Sequence, residues 1–236
     1  MILSPTFDDA LQYVVIIHAG QPRKGTSIPY LAHLLGVVSI ALEYGANETE
    51  AIGALLHDAG EDAGGAGRIE DIRNRFGTEV AAIVSGCTDA VTIPKPPWRE
   101  RKKDYIRHLS AASAAVRLVS ASDKLHNARA ILRDYRRHGD DVWSRFNGGK
   151  EGTLWYYRAL VEAFSTAERN DLVDELDRTV LELERLSRLR PDGPPFGKPR
   201  VPPQSRGCNA AEAAAAAHSE GLVIVQKGII GDETCE

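Results

Sequence analysis

The chain has 236 residues, 43% of them apolar and 26% charged, a globular make-up that suits one large domain or two small ones. Its net charge of −4 argues against a broad nucleic-acid-binding surface, which shows as a basic domain, while leaving room for a local basic pocket. No apolar run approaches the ~20 residues that cross a bilayer.

The start, MILSPTFDDALQ, lacks the basic stretch and cleavage site of a secretory signal. The cysteines (Cys87, Cys208, Cys235) are too scattered for a metal knuckle or a disulfide framework. A reducing cytoplasm is the expected setting, with Cys87 a small buried residue. From here to about residue 190 the pattern is helical. Over 6–19, Phe7, Ala10, Leu11, Val14, Val15 and Ile17 recur at near-helical spacing and stop before Gly20. The run 29–44 opens with Pro29, suited to a first helical turn, and stops at Gly45. Asn47 and Glu50 read as a capping pair that starts the next helix, whose apolar run delivers the stretch HDAGED.

Further helices are predicted over 68–76, 78–89, 99–109, 113–138, 151–168 and 170–190, with the Pro-rich TIPKPPW (92–98) as a non-helical turn between them. The expected fold is an all-α bundle over 1–190. Residues 191–203, PDGPPFGKPRVPP, hold six of the chain's 12 prolines and read as an extended linker. The alanine run and the short apolar piece GLVIVQKGII that follow are too small for a core, so 191–236 is expected to be a loose linker and tail.

HDAGED sets His57, Asp58, Glu61 and Asp62 directly behind a core-facing run. Carboxylates at the edge of a core are costly unless neutralised, and a divalent cation would neutralise them. His33, the doublet His57-Asp58 and Asp123 make a mixed imidazole–carboxylate set. That set suits six-coordinate Mn²⁺ or Fe²⁺, with open positions for water, better than a closed zinc site. Helical neighbours point about 100° apart, so His57 and Asp58 can share one ion only at a helix end. Gly60 is the expected place for that helix to loosen. Taken singly, each residue has a plainer reading: His33 as a core histidine, Asp123 as a surface partner of Lys124 or Arg129. The order of the fragments carries the inference.

In that order, HAGQPRKGTSIPYLAH, ALLHDAGED and SDKLHNAR closely resemble the HD-domain hydrolases of the RelA/SpoT homologue superfamily. The likeness is greatest to the stand-alone small alarmone hydrolases and runs over about residues 7–165. It implies an HD-domain helical bundle with His33, His57, Asp58 and Asp123 as metal ligands, Glu61 and Asp62 as a catalytic acidic pair, and Asn127 near the reacting phosphate. Asn127 also lies one turn after Asp123 on the same helix face, with a packing role as the alternative reading.

The resemblance further implies that Arg23 and Lys24, on a Gly/Pro/Ser-rich loop able to swing over a ligand, hold base and phosphates. It also implies a basic residue and a tyrosine against the nucleotide, here Lys150 and Tyr156. Without it, Arg23 and Lys24 read as a solvated loop, and core packing accounts for at least one of Trp155, Tyr156 and Tyr157. Two positions depart from the family pattern: His126 stands where many relatives carry tyrosine, and Gly60 replaces a more usual valine. Both would alter pocket shape, and neither is expected to touch the ligands.

The implied activity is metal-dependent hydrolysis of the 3′-pyrophosphate of guanosine alarmones, (p)ppGpp, to GDP or GTP and pyrophosphate. One rival keeps the site and changes the substrate to (p)ppApp or another 2′/3′-phosphorylated nucleotide such as NADPH, since nothing in the sequence separates guanine from adenine. Another is a non-catalytic nucleotide sensor, or an antitoxin opposing an alarmone synthetase by contact. Such a protein is expected to lose a ligand or an acidic residue, and here all are present. The expected partner is a small nucleotide, not nucleic acid or a membrane.

Overall fold

Pro5 and Ser4 show how directly the residues set the path of the chain. Pro5 occupies the first turn of α1 (Pro5–Ile17), where its missing N–H costs nothing, and the Ser4 hydroxyl caps the helix by accepting from the Thr6 N–H at 3.2 Å. The structure, a computed structural model, describes residues 2–62, 65–88 and 96–189, without the side chains of residues 61, 62, 65 and 66. The expected linker and tail at 191–236 lie outside the described residues, as do the side chains of Glu61 and Asp62.

The other elements are α2 (Leu31–Glu43), α3 (Glu48–Leu56), the short α4 (Ala59–Asp62), α5 (Gly65–Phe76), α6 (Thr78–Cys87), α7 (Trp98–Ala111), α8 (Ala114–His138), a 3₁₀ segment Gly139–Arg145, α9 (Gly149–Ala167) and α10 (Asp171–Leu189). The fold is all-α, with no strand among the described residues. No described helix is long and apolar enough to cross a membrane. The Asn47–Glu50 pair forms a full capping box: the Asn47 side chain accepts from the Glu50 N–H at 3.0 Å, and the Glu50 carboxylate accepts from the Asn47 N–H at 2.8 Å.

Two local expectations are corrected, and one element was not expected. Pro29 is not in the first turn of α2; it forms an isolated antiparallel bridge with Pro22, and the helix starts at Leu31. Trp98 belongs to α7, which begins directly after the extended Pro97 because Trp98, unlike a proline, is free to take helical angles with its N–H intact. The 3₁₀ segment at Gly139–Arg145, which follows the positive φ of Gly139, carries no apolar repeat that periodicity could detect.

Two apolar clusters hold the bundle. One gathers Val14, Leu34, Val38, Leu55, Leu56, Ile72, Val84 and Val119 from α1, α2, α3, α5, α6 and the start of α8. The other gathers Leu109, Leu125, Tyr135, Leu160, Phe164, Leu176 and Leu183 from α7 to α10. Each such buried side chain contributes about 1.5–3 kcal/mol. Helix α8 packs on α2, α3, α6, α9 and α10 and passes from the first cluster into the second. At that passage it buries Ser120, Ser122 and Asp123. The Arg158 guanidinium ties α9 to α10 with a two-pronged contact to Glu184 (3.0 and 2.9 Å) and a bond to Asp177 at 2.7 Å.

Gly53 of α3 lies flat against α6: a Cβ there would sit 2.6 Å from Ile83 Cγ2. Gly53→Ala is expected to destabilise by about 1–3 kcal/mol through overpacking, outweighing alanine's better helix propensity. A lowered midpoint in urea unfolding checks this; an unchanged or raised midpoint would mean that α3 and α6 separate freely.

Candidate metal centre

The polar stretch of α8 faces the ends of two other helices. His33 comes from the first turn of α2, His57 caps the C-terminus of α3, Asp58 follows it, and Asp123 projects from α8. Helix α3 stops at Leu56 and α4 starts at Ala59, so the chain breaks at His57-Asp58 itself, not at Gly60. That break turns two neighbours toward one point. Gly60 serves packing instead, since a Cβ there would lie 3.1 Å from Thr88 Oγ1 and 3.3 Å from Ile69 Cδ1.

His57 Nε2 lies 3.0 Å from Asp58 Oδ2 and 3.7 Å from Asp123 Oδ1, and His33 Nε2 lies 3.5 and 3.2 Å from the same two oxygens. His33, His57 and Asp58 form a group whose ligand atoms lie within 4.8 Å of one another. His33, His57 and Asp123 are buried, whereas the Asp58 side chain keeps 23% exposure. The far nitrogen of His57 is fixed: its Nδ1 lies 2.8 Å from the Ala54 carbonyl, to which it donates, and this turns Nε2 toward the carboxylates, where it can offer a lone pair to a cation.

That Nε2 is buried without a hydrogen-bond partner, although Asp58 Oδ2 lies 3.0 Å away as an ionic neighbour. An orphaned buried polar atom costs about 1–3 kcal/mol, and a cation among the four side chains would satisfy it. The electrostatics agree with the donor set. Burial alone would lower the His57 pKa, yet Asp58 and Asp123 outweigh it and hold the imidazole well above its ordinary value. Burial would raise Asp58, but His57 and the hydrogen bond from His33 hold it well below the usual carboxylate range. Asp123 is held down in the same way, against burial, by Lys124 first and then the imidazoles. The two carboxylates thus demand positive charge at the point that the imidazoles surround.

A shell of bonds aims these groups. The Tyr30 hydroxyl donates to Asp58 Oδ2. Lys124 Nζ, itself buried, lies 2.5 Å from Asp123 Oδ2 and leaves Oδ1 to face the imidazoles. The Asp123–Lys124 pair is therefore real but internal, and Arg129 pairs with Glu175 at 3.2 Å instead. Asn127 Nδ2 donates to Asp123 Oδ1 at 2.5 Å, and its Oδ1 accepts from Arg23 Nη2 at 2.7 Å. His126 Nδ1 lies 2.8 Å from His33 Nδ1 and 3.2 Å from Arg23 Nη1. His126 therefore does touch one of the four, contrary to expectation, because α2 and α8 cross closely at Gly36 and admit the ring. Burial, then His33 and Arg23, push its pKa down to about 4.

The loop carrying Arg23 and Lys24 is pinned, not swinging. Arg23 N donates to Ile28 O and Tyr30 N to Gln21 O, both at 2.8 Å, and the positive-φ Gly25 lets Arg145 pack against it. Beside the cluster opens a cavity of about 450 Å³. Arg23, Lys24, Arg101, Lys102, Lys124, Arg133 and Arg145 line it, with Tyr30, His33, Asn127, Tyr156 and Tyr157. Asp134 is the one carboxylate among its described lining residues, and it is paired with Arg133 at 3.1 Å and Arg145 at 3.0 Å. Such a wall suits a polyanion.

Of the predicted contact residues, Arg23, Lys24, Asn127 and Tyr156 line the cavity. Lys150 is not among its lining residues; its Nζ binds Asp140 at 3.1 and 3.2 Å. Trp98, absent from the sequence reading of the pocket, also lines the cavity. It packs on Gly148 and Gly152, where a Cβ would come within 2.6 and 3.2 Å of its ring. The spacing of glycines in NGGKEG was the available signal.

The HD domain model matches residues 10–154, more than half of the chain. The chain belongs to the HD-domain family. It is 37% identical over 139 residues to the guanosine-3′,5′-bis(diphosphate) 3′-pyrophosphohydrolase MESH1 of Xenopus tropicalis, covering 58% of this chain and 73% of that protein. To the Homo sapiens protein of the same name it is 33% identical over 140 residues, with the same coverage. A solved structure described as a metazoan ortholog of SpoT that hydrolyses ppGpp aligns with a TM-score of 0.64 at 25% identity, over 79% of this chain and 99% of that one.

A divalent cation that binds the folded chain alone is expected to raise its unfolding temperature, by an amount equivalent to about 2.7 kcal/mol at 100 times its Kd. Differential scanning calorimetry with and without Mn²⁺ checks this. The rise should vanish in His57→Ala; a rise of equal size in that variant would place the ion elsewhere.

Proposed function

We propose that this protein hydrolyses the 3′-pyrophosphate of guanosine alarmones, releasing GDP or GTP and pyrophosphate, with a divalent cation, Mn²⁺ by preference, held by His33, His57, Asp58 and Asp123. One observation carries the reading: two imidazoles and two carboxylates converge at the edge of a cavity whose wall is rich in arginine and lysine. The named activity of the MESH1 relatives supports the same choice. Imidazole and carboxylate donors together fit manganese or iron, while Mg²⁺ would favour oxygen alone.

When bound, such a cation supplies Lewis acidity toward a phosphate oxygen and a water. Arg23 and Lys24 grip the phosphates, the planar fork of Arg23 matching their oxygens. Lys124 balances charge beside the reacting group while keeping Asp123 aimed. Asn127, one turn beyond Asp123, presents its amide to the ribose or the scissile oxygen. Glu61, with Asp62, orients the attacking water and takes its proton, a role assigned from their place in HDAGED. Tyr156 and Trp98, aromatic residues lining the same cavity, would meet the base. Lys150, paired with Asp140 outside the cavity lining, is given no role in this reading.

The test is a panel of ppGpp, pppGpp, ppApp and NADPH with the Mn²⁺-loaded protein, read as pyrophosphate and orthophosphate release. The guanosine compounds should turn over fastest with pyrophosphate as product; tight binding with no product from any compound would overturn the enzymatic reading. Glu61→Ala is expected to keep its cation and lose about 10²- to 10⁴-fold in kcat. Arg23→Ala should weaken kcat/KM by about 10- to 100-fold, the worth of a charge-assisted contact of about 1.5–3 kcal/mol. Full kcat in Glu61→Ala would remove that residue from the mechanism.

A further inference from the structure

His57 and His33 present Nε2 to the same two carboxylates, but their far nitrogens are held differently. Ala54's carbonyl, part of the rigid α3 backbone, receives the Nδ1–H of His57. The Nδ1 of His33 meets a side chain, His126, at 2.8 Å. Hydrogen-bond logic then fixes both rings. A guanidinium only donates, so the Arg23 Nη1 contact at 3.2 Å makes His126 Nδ1 an acceptor. His33 Nδ1, facing that same acceptor, carries the proton once a cation occupies the site between the carboxylates. With Nδ1 protonated, His33 Nε2 offers its lone pair to that cation, at the point where Asp123 Oδ1 lies 3.2 Å away.

From this geometry, and resting on the cation reading above, we propose that His126 is a positioning residue. It sets the tautomer and aim of His33 and couples the cation site to the anion-binding Arg23. The same guanidinium reaches the other side of the cluster through Asn127 and Asp123. Arg23, His126, His33, Asp123 and Asn127 thereby form a hydrogen-bonded circuit that the cation closes. Gly36 makes room for it: a Cβ at that position would lie 2.3 Å from both Cδ2 and Nε2 of His126. Any side chain at 36 would push the ring off His33. Outer-shell partners of ligating histidines commonly govern affinity in this way, and their loss typically costs about 10- to 100-fold.

Two measurements test it without reference to turnover. Long-range ¹⁵N–¹H NMR of the imidazoles in the wild type loaded with diamagnetic Zn²⁺ should show His33 protonated on Nδ1 and His126 on Nε2; the opposite pattern overturns the proposal whatever the variants do. Mn²⁺ affinity is then measured by competition with a chromogenic chelator, with the metal-free unfolding temperature as the folding control. His126→Phe keeps a ring but no acceptor, and should bind Mn²⁺ about 10- to 100-fold more weakly. His126→Asn, whose Oδ1 replaces the Nδ1 acceptor, should recover most of that loss, and Gly36→Ala should behave like His126→Phe. Wild-type affinity in a folded His126→Phe, or equal losses in Phe and Asn, would reduce His126 to a space filler. A wild type that binds no Mn²⁺ would sink the cation reading itself, a result distinct from a bound cation indifferent to His126.

Discussion

Two carboxylates, Asp58 and Asp123, share the interior of a helical bundle with two buried imidazoles, and this crowding of like charge is the constraint on which the rest depends. Buried charge is tolerated only where something of opposite sign answers it. Lys124 answers one oxygen of Asp123, and the Tyr30 hydroxyl donates to Asp58. The remaining demand falls at the point faced by both Nε2 atoms, one of which has no hydrogen-bond partner. The break between α3 and α4 and the passage of α8 from one apolar cluster to the other each serve to bring these groups together.

The centre and the cavity beside it are mechanically one object. Arg23 sits on a loop pinned by backbone bonds, lines the cavity, and bonds through Asn127 and His126 to two of the four central side chains. An anion held by that guanidinium is thereby held in register with the cluster. Coupling of this kind is what would let the cavity hold an anion against the centre to within about 0.5 Å, the tolerance that positioning catalysis requires.

Much of this was legible along the chain. Asn47 and Glu50 announced α3 because a capping box is a contact between residues close in sequence. The four central residues stood out because acids and imidazoles beside a core run have few physical excuses. What the sequence hid depends on how helices cross. His126 reaches His33 only because α8 crosses α2 at Gly36, and no periodicity reports a crossing point. Lys150 read as a pocket cation, yet Asp140, ten residues earlier in the 3₁₀ segment, pairs with it. Pro29 is compatible with both a first helical turn and a bridge, and its partner Pro22 decides between them. Gly60 was read as a hinge when its smallness serves the contact with Ile69 and Thr88.

The most direct test is anomalous diffraction at the manganese edge from crystals grown with Mn²⁺. The account requires one strong peak within about 2.0–2.3 Å of His33 Nε2, His57 Nε2 and an oxygen each of Asp58 and Asp123, as expected for bonds from nitrogen and oxygen donors. Absence of a peak there, or a peak that leaves out any of the four, would contradict it.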